Sequence, residues 1–125
     1  PEDDGIYYNF EFNPIGTALM GSGHGRHDSA RTDPAVVDGI RRLTTMGNEP
    51  FSEISGDVRW SITVAIPLET FFHHKVGSLA GKTFRANFYK CGDKLTTPHF
   101  VTWNPVETEK PDYHRPEYFG ILKFV

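Results

Sequence analysis

The chain has 125 residues and 14.1 kDa, with 13 Lys and Arg against 16 Asp and Glu, a net charge of −3 and 38% hydrophobic residues. That length makes a single domain, 1–125, able to bury about two-thirds of its unfolded surface, and the lone Cys91 excludes an internal disulfide and a paired-thiolate zinc site. Slight acidity without a Lys/Arg block argues against nucleic acid or anionic lipid as a partner, and no apolar run approaches the ~18 residues of a membrane span, so no membrane insertion is expected.

Pro1 to Gly5 has neither the basic nor the apolar region of a secretory leader and reads as the middle of a longer chain. From Ile6 to Asn13 a strict alternation sets Ile6, Tyr8, Phe10 and Phe12 against Tyr7, Asn9, Glu11 and Asn13, which predicts a strand with one buried and one wet face. Residues 21–28, with three glycines and two histidines, read as a glycine-rich loop, and Asp33-Pro34 as a helix start. A second alternation, Val58, Trp60, Ile62, Val64 and Ile66, predicts a strand over 57–66 that Pro67 ends, followed by a turn or two of helix over 68–74. A third strand is predicted over 83–90, with Phe84, Ala86 and Phe88 inward and Arg85, Asn87 and Tyr89 outward. Residues 91–116 read as a long ordered loop, and 118–125 as an apolar strand, central or covered on both faces. Strands joined by long loops, with short helices in the loops, predict an all-β, mainly antiparallel β-sandwich.

Few residues are arranged for chemistry. His24, His27 and Asp28 lie within five residues, but their spacing matches no zinc motif; solvated side chains in a loop are the simpler reading. No Gly-x-Ser-x-Gly elbow or phosphate-binding Gly-Lys-Ser/Thr ending occurs. A glycosidase needs two carboxyl groups about 5–10 Å apart, and Glu11 is the one carboxylate in the middle of a polar strand face, so no catalytic residue is assigned. Cys91, without a fixed base beside it, reads as an inert thiol. Trp103, in the proline-bounded segment 98–105, either plugs the core or serves as a flat stacking platform. Sugar rings present apolar C–H faces to such a platform and hydroxyls to planar polar groups of the kind Arg85, Asn87, Tyr89, Asn9 and Glu11 supply.

The strings Tyr8 to Asn13, Arg85 to Asp93, Pro98-His-Phe, Thr102-Trp-Asn-Pro105 and Pro111 to Gly120 together resemble the bacterial family-9-like carbohydrate-binding proteins, from about Gly5 to Val125. The resemblance implies a DOMON-type β-sandwich that binds poly- or oligosaccharide, at chain ends in the better-known members, without catalysis. It implies a secreted, periplasmic or cell-surface protein of a polysaccharide-degrading system. Trp103 falls where one stacking aromatic of such a module is expected, with Arg85, Asn87, Tyr89, Glu11 and His99 as hydrogen-bonding partners. Structural calcium is compatible with the family, although no EF-hand pattern occurs; no other cofactor is expected. A second stacking aromatic and an acidic partner would come from strands before Pro1, so a missing N-terminal segment or a partner chain is expected to complete the sandwich. Two alternatives are a hydrolase or lyase using Glu11 with His99 or His114, and a haem protein ligated through residues such as Met20 or Met46.

Overall fold

The structure, a computed structural model, describes residues 4–125. Among the described residues it is all-β, with nine strands, every pair antiparallel, one short α-helix and two 3-10 turns. β1 (Tyr7–Phe12), β2 (Ala18–Gly23) and β3 (Ala30–Arg31) form a three-stranded sheet in that order. The β1–β2 hairpin runs from Tyr7 opposite Gly23 to Phe12 opposite Ala18. Its turn is built by Asn13, whose Oδ1 accepts from Thr17 N at 2.7 Å and Ile15 N at 3.2 Å. Gly16 completes it at φ +82°, a conformation that side-chain-bearing residues rarely adopt.

Helix α1 (Pro34–Asp38) begins as the sequence predicts: Asp33 caps it by accepting from Ala35 N at 2.8 Å, and Pro34 opens the first turn. β4 (Arg41–Thr44) pairs with β5 (Ile62–Ala65). β6 (Thr83–Ala86) pairs with β9 (Gly120–Lys123), and β7 (Tyr89–Gly92) with β8 (His99–Thr102). A chain of edge-to-face aromatic contacts links the β1 sheet to the β6–β9 pair. Phe71, just after Pro67 and a single 3-10 turn, lies 5.1 Å from Tyr8, 6.1 Å from Phe10 and 6.1 Å from Phe84, and Phe84 lies 5.0 Å from Phe124.

Several local expectations change. The glycine-rich segment enters β2 through Gly23, because the β1 ladder takes up its backbone groups. The helix after Pro67 is reduced to Leu68–Thr70. β4 and β8 were not predicted, since Arg-Arg-Leu-Thr and His-Phe-Val-Thr are too short to show a period. Tyr7, expected outward, is one of the most buried side chains, so β1 is covered on both faces by aromatics. Phe88, expected inward, is 57% exposed, and Ile121 on the last strand is 64% exposed.

The packing is open. Among the described residues Met20 and Ile40 are the largest side chains almost wholly enclosed. The accessible surface is 9092 Å², whereas a compact monomer of this mass exposes roughly 6,700 Å².

Candidate carbohydrate-binding surface

Sequence predicts one strand over 83–90; the structure breaks it at Asn87 and Phe88. The cause is the Asn87 side chain, which acts as a backbone partner for Asn104. Its Oδ1 accepts from Asn104 N at 2.8 Å and from Phe88 N at 2.9 Å, and its Nδ2 donates to the Asn104 carbonyl at 2.9 Å. Asn104 in turn donates from Nδ2 to the Tyr118 carbonyl at 2.8 Å. This network fixes the backbone on either side of the break and holds the residue next to Asn104, which is Trp103.

Beyond the break the alternation is reset. The β7–β8 register is continued by a 2.9 Å bond from Trp103 N to the Phe88 carbonyl. It places Phe88, Lys90, His99, Val101 and Trp103 on one face of the hairpin, and Tyr89, Cys91, Phe100 and Thr102 on the other. On the first face Trp103 is 52% and Val101 56% exposed. The Phe88 and Trp103 rings meet edge to face, with centroids 5.6 Å apart at 65°. Lys90 Nζ lies against His99 Nε2, and His99 Nδ1 is 3.3 Å from the Thr97 carbonyl. An Nδ1–H donated to that carbonyl leaves Nε2 as an acceptor for the ammonium. Beneath the indole is Gly120, where an added Cβ would stand 3.0 Å from Trp103 Cζ3.

The six residues expected at a sugar site are therefore distributed. Trp103 and His99 share the exposed hairpin face. Tyr89 is on the opposite face, stacked on Tyr113 with centroids 4.2 Å apart and planes 14° apart, and burial pushes both phenols above the ordinary tyrosine value. Asn87 is engaged beneath the loop, and Arg85 Nη2 donates to the carbonyls of Glu117 and Phe119 at 3.0 and 3.1 Å. Glu11 lies on β1, exposed, accepting from Asn9 Nδ2 at 2.7 Å. Among the described residues no hydrogen bond or ion pair joins Glu11 to the other five.

The proposed acid and base are likewise apart. His114 Nδ1 is 2.9 Å from Tyr7 Oη, and Glu11 lies four residues further along β1, a rise of roughly 13 Å. His99 belongs to the β7–β8 hairpin. Asp28 is occupied by the His24 and Gly25 backbone N–H groups and by the His24 ring at 3.1 Å. Among the described residues no three His, Cys, Asp or Glu side chains are grouped to hold a metal ion, and no helix is long and apolar enough to cross a membrane.

Sequence reasoning passed over Tyr113 and considered His114 only as an acid or base; they pack on Tyr89 and Tyr7 beside an ionic cluster. In that cluster Asp112 accepts from Arg26 at 2.8 Å, with Arg115 at 3.9 Å. The signal was present: Tyr113 lies in a segment bounded by Pro111 and Pro116, and a phenol ring held in such a segment favours a packed partner.

Comparison with known proteins gives a consistent picture. The family model described as carbohydrate-binding family 9 matches residues 1–124. A crystal structure at 2.70 Å resolution of a candidate carbohydrate-binding protein from Bacteroides uniformis ATCC 8492 is similar over 100% of this chain, with a TM-score of 0.93 and 44% sequence identity. The chain spans 57% of that protein's length. No curated protein matches the chain.

Proposed function

Because the chain belongs to carbohydrate-binding family 9, we propose that it binds poly- or oligosaccharide through the exposed face of the β7–β8 hairpin, without catalysis. The observation that carries the reading is the Phe88–Trp103 pair, two rings more than half exposed on a hairpin backed by the Asn87–Asn104 network. An indole left half in water by a rigid backbone has already met the cost of its ordering, so a pyranose C–H face can cover it with little entropic penalty. Lys90 and His99 stand on the same face as hydroxyl partners. Hydrolysis would need an acid and a base on one bond, and Glu11, His99 and His114 stand in separate surroundings.

The reading extends to place and company. A polysaccharide is too large to cross a bilayer, so its binder works as a secreted, periplasmic or cell-surface protein beside degrading enzymes. Further strands, from additional chain or from a partner, complete a DOMON-like sandwich. Support for this comes from the large accessible surface and from the 57% of the relative's length that the chain spans.

The test is Trp103→Ala on a glycan array and in affinity gels. Binding is expected to be lost while thermal unfolding moves little. A stability loss of about 3–5 kcal/mol, the cost of emptying a buried aromatic site, would place Trp103 in the core and remove the platform.

A further inference from the structure

A second recess lies between the irregular segment 51–60 and the turn of the β7–β8 hairpin, where it adjoins the Lys90 and His99 end of the Trp103 face. It is a cleft of about 770 Å³, within the size range of small-molecule sites. Its two lips are tied across 43 residues of sequence: the Glu53 carboxylate accepts from Thr96 N at 3.0 and 3.1 Å and from Thr96 Oγ1 at 2.9 Å. That clamp leaves the cleft formed before any ligand arrives. The wall includes half-buried Trp60, the other of the chain's two tryptophans, and Phe51, which is 46% exposed. Asp93 and Lys94 also line it, and neither side chain makes a hydrogen bond or ion pair among the described residues.

We propose that this cleft is a second carbohydrate subsite, taking a neutral stretch of a linear oligosaccharide with one pyranose against Trp60 and Phe51. The proposal rests on the carbohydrate-binding reading above. Three features of the cleft fit a sugar. Aromatic surface meets the apolar C–H face of a pyranose, and one free carboxylate and one free ammonium of opposite sign meet hydroxyls, which both donate and accept. The free charges, Asp93 against Lys94, balance, which favours a neutral ligand over an anionic one. A chain that spans both sites gains affinity by effective concentration and requires no new contact.

Tryptophan emission tests it directly. In Trp103→Phe the sole tryptophan is Trp60, so any sugar-dependent change reports on the cleft. Titration of this variant with cellohexaose, xylohexaose and mannohexaose is expected to shift Trp60 emission saturably with at least one of them and to protect it from acrylamide. The same titration in Trp103→Phe/Phe51→Ala and Trp103→Phe/Asp93→Asn is expected to be about tenfold weaker. Both added substitutions are at exposed positions, and circular dichroism confirms folding. If the wild-type chain binds a hexasaccharide while Trp60 stays silent in Trp103→Phe, the subsite is overturned and the hairpin surface stands. Trp60 emission that changes with protein concentration but not with sugar overturns it too, and assigns the cleft to a protein contact. A wild-type chain that binds none of the sugars on the array ends both readings.

Discussion

Trp103 is exposed because of what its neighbours do. Its indole rests on Gly120, and a methyl group there would stand 3.0 Å from Cζ3 and 3.1 Å from Asn104 Oδ1. Gly120→Ala is therefore expected to tilt the ring and loosen Asn104, costing about 1–3 kcal/mol as overpacking does, with weaker sugar binding and altered tryptophan emission; an unchanged emission spectrum and affinity would contradict this seating. Asp112 is a second residue whose state is set by contacts. The Arg26 hydrogen bond, helped by His114 N–H and the Arg26 and Arg115 charges, holds its carboxyl below the usual aspartate value against the opposing effect of burial. A depressed carboxyl contributes stability that is complete above its unfolded value, about 3.9, and is lost as pH falls through the folded value. The ion pair is partly exposed, so its contribution is about 0–1 kcal/mol. In Asp112→Asn the melting temperature should be slightly lower at pH 7 and fall less steeply below about pH 4 than in the wild type; identical slopes in melts from pH 6 to 2.5 would remove Asp112 from the acid transition.

At the scale of elements, the decisive event is the interruption between β6 and β7. A continuous strand over 83–90 would have turned Phe88 inward with Phe84 and Ala86; instead Asn87 turns toward Asn104 and Phe88 faces solvent. One amide side chain thus substitutes for a missing strand and sets which face carries aromatic rings. Asn87→Ala would leave the Asn104 N–H and carbonyl without those partners, at about 1–3 kcal/mol. Amide exchange at Asn104 and Phe88 should accelerate well before global unfolding, and sugar affinity should drop with it. Exchange that remains at the wild-type rate would mean that the hairpin and its Trp103 N–H to Phe88 bond hold the loop unaided.

At the scale of the molecule, the nine strands of the described residues are divided among one three-stranded and three two-stranded sheets. Two-stranded ribbons are marginal in water unless packed against something else, and here the accessible surface exceeds that of a compact monomer by roughly a third. Leu43 on β4 is 74% exposed, and Ile54, Phe72 and Ile121 are about half exposed or more. Exposed apolar side chains and unpaired strand edges of this kind favour association. The 125-residue chain by itself is therefore expected to self-associate with rising concentration in analytical ultracentrifugation, and Leu43→Lys to reduce that tendency without lowering the melting temperature. A well-behaved 14.1 kDa monomer at all concentrations would show that these sheets need no further cover.

What the sequence determined by itself was what depends on neighbours along the chain. Alternation over six or more residues placed β1 and, of the strand expected over 57–66, the four residues of β5; Asp33-Pro34 placed the start of α1, and together these indicated an all-β, antiparallel fold. The ordered strings around Arg85, Trp103 and Pro111 pointed to the carbohydrate-binding family, since such strings keep their spacing whatever the side chains do in space. Tertiary structure decided what depends on distant partners. Whether Trp103 is enclosed or half exposed turned on Gly120 and Phe88, and the engagement of Asn87 and Arg85 with backbone turned on carbonyls 17 to 34 residues away. The pairing of Tyr89 with Tyr113 and the clamp from Glu53 to Thr96 are also long-range. A hydrogen bond or ring contact forms wherever the fold brings two groups within reach, and the local pattern of a strand carries no record of that meeting.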